Sequence, residues 1–317
     1  MALLSVDAGK AGWTARGDLG AALAVLPRGA TLTLMVHGFR FSPFEPAHDP
    51  HGHILSLAPR RDCWKAASWP RHLHLDRPGA GLGIGFGWHA RGRLDRVAAR
   101  AFVAGETLAG LIRAINAARP DLSVTLMAHS LGARVALAAV AELPARHVDR
   151  MILMSGAEYR DLARAALAGP GGRGVQVLNV TSGENAAFDA LFRLCVPAPR
   201  LGDWPLSAGL PRLPGWTDLR IDCPRQRALL RRMGFPTRPP ATRVCHWSTY
   251  LRPGLFRLYR AASGPAGAAL LARLDAALRE ALQDPRPRPG HADRPRGRGS
   301  FPPPRILHDA PTGTICR

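Results

Sequence analysis

Residues 123–140 read SVTLMAHSLGARVALAAV. Ser123–Met127 is apolar on both faces, as in a strand covered by helices on each side. Ala128-His129-Ser130-Leu131-Gly132 follows, and then an Ala-rich run whose spacing predicts a helix over Leu131–Leu143, closed by Pro144. A strand, a tight turn and a helix in direct succession lift the turn residue clear of the sheet on strained backbone. The residues two before and two after that serine must be small, or their side chains would collide across the turn; Ala128 and Gly132 satisfy this. The helix also aims its positive end at the turn, which favours developing negative charge. Ser130 is therefore a candidate nucleophile, and the plainer alternative is a serine that only caps the helix.

Outward from this stretch, strand and helix patterns alternate. Strands are expected at Leu3–Val6, Thr31–Val36, Leu82–Phe86, Arg150–Met154, Val175–Val180 and Leu219–Ile221. Helices are expected at Arg93–Ala118, Glu158–Leu167, Pro224–Met233 and Ala266–Leu282, with a short one near Cys63–Ala67. This order predicts an α/β fold with a mainly parallel central sheet flanked by helices. Two long Pro-rich stretches, Arg40–Leu75 and Pro197–Gly215, are expected to form lids or binding walls. The expected division is one α/β domain over residues 1–283 and a Pro/Arg-rich, disordered, basic tail over 284–317.

The 317 residues suffice for a large core, with 46% hydrophobic residues. No apolar run is long enough to span a bilayer, and MALLSVDAGKAGW has no basic run ahead of an apolar stretch, so no transmembrane segment and a cytoplasmic location are expected. The net charge of +20 is almost all arginine, since Lys10 and Lys65 are the lysines, and it is scattered rather than gathered on one face. No specific nucleic-acid partner is expected, and contact with acidic surfaces is expected to be weak and electrostatic. Cys63, Cys195, Cys223, Cys245 and Cys316 are odd in number and widely spaced, which argues for reduced thiols over a disulfide framework or zinc site.

TLTLMVHGFR, residues 31–40, supplies a second part of the site. Acyl transfer needs two backbone N–H donors for its oxyanion. Leu131, after the serine, offers one. The turn His37-Gly38 lets the chain pass close by, and the Phe39 N–H is the second candidate. His246, in TRVCHWSTYLRPG, follows the last strand and lies C-terminal to Ser130, as the order nucleophile, acid, histidine requires. The acid is sought after VQVLNV: Glu184 is the first candidate and Asp189, inside a starting helix, the runner-up. Asn185 holds the register where a carboxylate is usual, and an amide cannot stabilise an imidazolium by charge.

VHGFRFSPFEPAHDPHGHILSL, AHSLGARVAL, LNVTSGEN and CHWSTYLRPG together resemble the α/β-hydrolase superfamily over roughly residues 1–262, closest to a bacterial branch of uncharacterised members. The resemblance implies a serine hydrolase with a Ser130–acid–His246 triad, no metal and no organic cofactor. The expected partner is a small-molecule acyl substrate, a carboxylic ester, with a thioester or amide as the alternatives. The alternative is a non-catalytic binding protein on the same scaffold. His48, Asp49, His51 and His53 (HDPHGH) lack an established metal-ligand spacing and read as a solvated loop or lid wall. GAGLGIGFG, residues 79–87, reads as strand rather than as a dinucleotide loop.

Overall fold

The computed structural model describes residues 3–60, 63–210 and 213–283. The expected tail, 284–317, lies outside them. Eight strands form one sheet: β1 (Leu3–Gly9), β2 (Gly12–Ala15), β3 (Thr31–Val36), β4 (Leu82–Gly87), β5 (Ser123–His129), β6 (Arg150–Met154), β7 (Gln176–Thr181) and β8 (Trp216–Arg220). Their order is β2-β1-β4-β3-β5-β6-β7-β8. Every pair is parallel except β1 with β2, which form an antiparallel ribbon at one edge. β2 was not expected from the sequence. Its GWTA is short and no residue of it is fully buried, so it carries little periodicity to read.

The sheet's period of two divides the core. Leu34 and Val36, Leu126 and Ala128, and Met151 and Leu153 face one side. Against them pack α1 (Leu19–Ala24), α3 (Leu94–Ala118), α4 (Gly132–Ala141) and α5 (Arg160–Ala168). Met35, Met127, Ile152, Met154, Leu178 and Val180 face the other side. That side is covered by α2 (Trp69–His72), α7 (Pro224–Arg232), α9 (Leu255–Ser263) and α10 (Gly267–Gln283). The central strands are thus apolar on both faces, which is what burial between two helical layers demands. The short helix of the first long loop is α2, and the stretch near Cys63 is a turn. Ser68 explains the shift: it caps Trp69–His72 by accepting from Arg71 N–H at 3.1 Å, with Pro70 in the first turn. Two further helices frame the site: α6 (Ala186–Cys195) and α8 (Ser248–Leu251).

Cys63 is disulfide-bonded, so the expectation of reduced thiols is corrected there; Cys195, Cys223 and Cys245 are free. The HDPHGH loop is more ordered than a solvated loop. His51 Nε2 lies 2.9 Å from Asp7 Oδ1, and Arg16 bridges Asp7 and Asp49 at 2.7 and 2.8 Å. This pins the loop to the end of β1, while His53 and Ile54 serve as cavity wall.

Candidate active site

Three strands end on residues of positive φ: Arg40 (78°) soon after β3, Ser130 (55°) after β5 and Ser155 (45°) after β6. Non-glycine residues avoid this region, and strained backbone of this kind gathers at functional sites. All three line one cavity of about 340 Å³ at the carboxyl ends of the strands.

Ser130 sits at its floor. Its N–H donates to Met154 C=O at 3.0 Å, and its own C=O accepts from Ala133 and Ala157 N–H, both at 3.0 Å. These bonds fix the turn from three sides. The small neighbours are required by distance. A Cβ on Gly132 would stand 2.5 Å from Val36 C=O and 2.7 Å from His37 C=O. A Cβ on Gly38 would stand 2.7 Å from Ser130 Cβ and 2.8 Å from His129 C=O. Gly38 therefore lets the end of β3 lie directly against Ser130.

His37 orients the next peptide. It is fully buried, and its Nε2 accepts from Trp88 N–H at 3.0 Å. The proton must then be on Nδ1, which donates to Gly38 C=O at 2.8 Å. Burial lowers the His37 pKa to about 3, so the ring stays neutral in this tautomer. A trans peptide points its C=O and N–H in opposite directions. Holding the Gly38 carbonyl against His37 thus turns the Phe39 N–H away from His37. Leu131 is the N-cap residue of α4, where a backbone N–H has no partner within the helix. Both oxyanion-donor candidates line the cavity.

His246 lies in the loop before α8 and lines the same cavity. Phe188 stacks on its ring at 4.6 Å and 23°, and His129 meets it at 4.6 Å. Burial holds its pKa well below the ordinary value, helped by the nearby His129 and Lys65, so the ring is neutral near pH 7. His129 turns from Ser130 toward the opposite layer: Nε2 lies 3.0 Å from His246 C=O, and Tyr250 packs edge-on at 5.0 Å. Burial lowers its pKa to about 4.

The Nδ1 of His246 bonds to Asn185 Oδ1 at 2.6 Å. Glu184, the first candidate for the acid, faces elsewhere. Its carboxylate pairs with buried Arg252 and accepts from Ser182 Oγ at 2.7 Å. The cause is local: Gly183–Asn185 forms one turn of 3-10 helix after β7, so successive side chains diverge by about a third of a turn. Glu184 is directed to the β8 side and Asn185 to the histidine. Asp189 stands one turn further along, on α6, and accepts from Asn185 Nδ2 at 2.9 Å. Ser207 donates to it as well, while burial raises its pKa to about 6.

The remaining wall is apolar: Phe39, Phe41, Ile54, Leu94, Leu191 and Phe192 contribute to it. Lys65 Nζ sits 3.8 Å over the Trp247 ring at one side. Phe188 and Leu191 were missed by the sequence reading, although the apolar spacing of AAFDALF carries the signal of a helix face. Among the described residues no group of three or more His, Cys, Asp or Glu side chains is placed to hold a metal ion, and no helix is long and apolar enough to cross a membrane.

A family model described as an alpha/beta hydrolase of unknown function (DUF900) matches residues 27–170, the span from just before β3 to just after α5. No curated protein matches. Among solved structures, a Trichoderma reesei cutinase in complex with a phosphonate inhibitor is 11% identical; the overlap covers 44% of this chain and 66% of that one, at a TM-score of 0.24. An acetylxylan esterase is 10% identical over 81% of this chain and 100% of that one, at a TM-score of 0.31. These two overlaps are too shallow to speak to chemistry. With β3, β5 and the elbow between β5 and α4 inside the matched span, the chain has the α/β-hydrolase superfamily fold.

Proposed function

We propose that the chain is a serine hydrolase that cleaves carboxylic esters with an apolar acyl group, through an acyl-enzyme. The observation that carries this reading is the meeting of Ser130, on positive-φ backbone, and His246 in one largely apolar cavity. His246 Nε2 takes the Ser130 proton as Oγ attacks the carbonyl carbon. The oxyanion is held by the N–H groups of Phe39 and Leu131. Collapse expels the alcohol, protonated by His246, and water attacks the acyl-enzyme with His246 again as base. A thioester or amide fits the same steps. The apolar wall of Phe39, Phe41, Ile54, Leu94, Leu191 and Phe192 suits an apolar acyl chain.

The second reading, a non-catalytic binding protein, draws on Asn185: the residue bonded to His246 is a neutral amide. A fluorophosphonate probe and a panel of p-nitrophenyl esters of graded acyl length separate the two. Wild type should be labelled and should hydrolyse the esters. Ser130→Ala should be unlabelled and slower on the order of a thousandfold or more, with unchanged melting. A wild type that neither takes the probe nor turns over any ester sinks the hydrolase reading.

A further inference from the structure

We infer that Asp189 is a positioning residue for His246 and acts through Asn185, whose amide bridges the imidazole and the carboxylate. This rests on the serine-hydrolase reading above. An amide has two unlike ends: Oδ1 only accepts and Nδ2 only donates. Asp189, when ionised, only accepts. With Asn185 Nδ2 donating to Asp189 at 2.9 Å, Oδ1 is the atom left for His246 at 2.6 Å. The flipped amide would set Oδ1 against the carboxylate oxygens, acceptor facing acceptor. His246 Nδ1 must therefore carry the proton, and Nε2 is left bare to take one from Ser130.

The carboxylate thus selects the useful tautomer without touching the ring. The helix fixes the spacing, because Asn185 is the N-cap residue of α6 and Asp189 lies four residues on, about one turn further along. Asn185 is 2% exposed, so its amide is largely shielded from bulk solvent. The Ser207 hydroxyl holds Asp189 in place. Phe188, between the two in sequence, stacks on the ring and fixes its plane. One helical turn therefore supplies the ring's plane, its hydrogen-bond acceptor and the anchor of that acceptor.

The test is a set of four variants assayed at pH 8 for kcat and KM, with ¹⁵N NMR of His246 alongside. Asp189→Asn keeps the shape but permits the flipped amide, and kcat should fall by about tenfold with KM within about twofold. Asp189→Leu removes the anchor, and kcat should fall by on the order of a hundredfold, less than the roughly 10⁴ that a fully wrong tautomer costs in a Ser-His-Asp triad, because the ring then samples both tautomers. Asn185→Asp alone sets two carboxylates side by side and should be impaired. Asn185→Asp with Asp189→Asn moves the carboxylate to the ring and should recover kcat to within about tenfold of wild type. The nitrogen shifts should report Nδ1–H in wild type and a mixture in Asp189→Leu. If both Asp189 variants keep kcat within about twofold while Ser130→Ala is dead, the relay is wrong and the hydrolase reading stands. If wild type shows no activity, the hydrolase reading fails, and the His246 shifts still decide whether Asp189 sets the tautomer; an unchanged tautomer in Asp189→Leu overturns it.

Discussion

At position 38 a single methyl group decides whether the site exists. Alanine there would place Cβ 2.7 Å from Ser130 Cβ and 2.8 Å from the His129 carbonyl oxygen. Neither neighbour can yield, because Ser130 is held by three backbone bonds. Gly38→Ala should therefore destabilise by about 1–3 kcal/mol, as overpacking does, and should also displace Ser130 and lower kcat/KM. Urea melts and ester assays read the two effects; normal activity together with normal stability would show that the end of β3 is free to retreat. Asp189 makes the opposite trade. Its carboxyl is raised from 3.8 to about 6 by burial, so ionising it above pH 6 works against folding. Asp189→Asn should raise stability at pH 7.5 by up to about 3 kcal/mol while lowering kcat, and the gain should vanish below pH 4. That Ser130, His246 and Gly38 come together at one cavity was legible in the sequence, from spacing and order along the chain. The partner of His246 was not. Glu184 and Asn185 are adjacent, and only the 3-10 turn decides which of them faces the ring.

Elements were legible where they are long and periodic. The strands β3 and β6 stand at their expected bounds, and α3 begins one residue later than expected. A helix starting around Asp189 is expected from the sequence, but the role of α6 as the wall that carries Phe188, Asp189 and Leu191 depends on tertiary docking that periodicity does not encode. The same holds for the support beneath α4. Arg134, on its first turn, is 4% exposed and pairs with Glu158 at 2.7 Å, just before α5. Glu158 also accepts from Tyr159 N–H at 2.7 Å, and burial pushes its pKa up. The Arg134 guanidinium lies 5.0 Å from the Phe102 ring and 5.6 Å from the Phe192 ring, so it ties α3, α4 and α6 together. Arg134→Met leaves a buried carboxylate without its cation, and should destabilise by about 3–5 kcal/mol. Arg134→Met with Glu158→Gln removes both charges and should recover a large part of that. Equal losses in the single and double variants would mean that the pair contributes through packing alone.

Across the whole molecule, acid should act mainly through buried histidines. His37 and His129 have pKa values lowered by burial to about 3 and about 4, and His246 lies well below its ordinary value. In the unfolded chain each returns to about 6.5. Their folded values are depressed, so the stability they contribute is present above pH 6.5 and is lost as pH falls toward the folded values. Asp189 runs the other way: its folded value is raised, so the folded state takes up a proton near pH 6 that the unfolded chain takes up only near pH 4. Between pH 6 and 5 the unfolded chain therefore holds close to three protons on these histidines that the folded state lacks, while the folded state holds up to about one on Asp189. The net uptake of about two protons corresponds to a loss of roughly 2–3 kcal/mol per pH unit. His48, His72, His74 and His89 are shifted down as well and add to the fall, while Glu158, shifted up by burial, opposes it. Urea midpoints of the full chain measured from pH 7.5 to 5 should fall accordingly. Asp189→Asn should steepen the fall toward three protons, and His129→Gln should flatten it toward one. A midpoint that stays level from pH 7.5 to 5 in the wild type would show that these rings are hydrated and ionise in the folded protein, and the neutral, proton-accepting state of the site at pH 7 would then lose its physical basis.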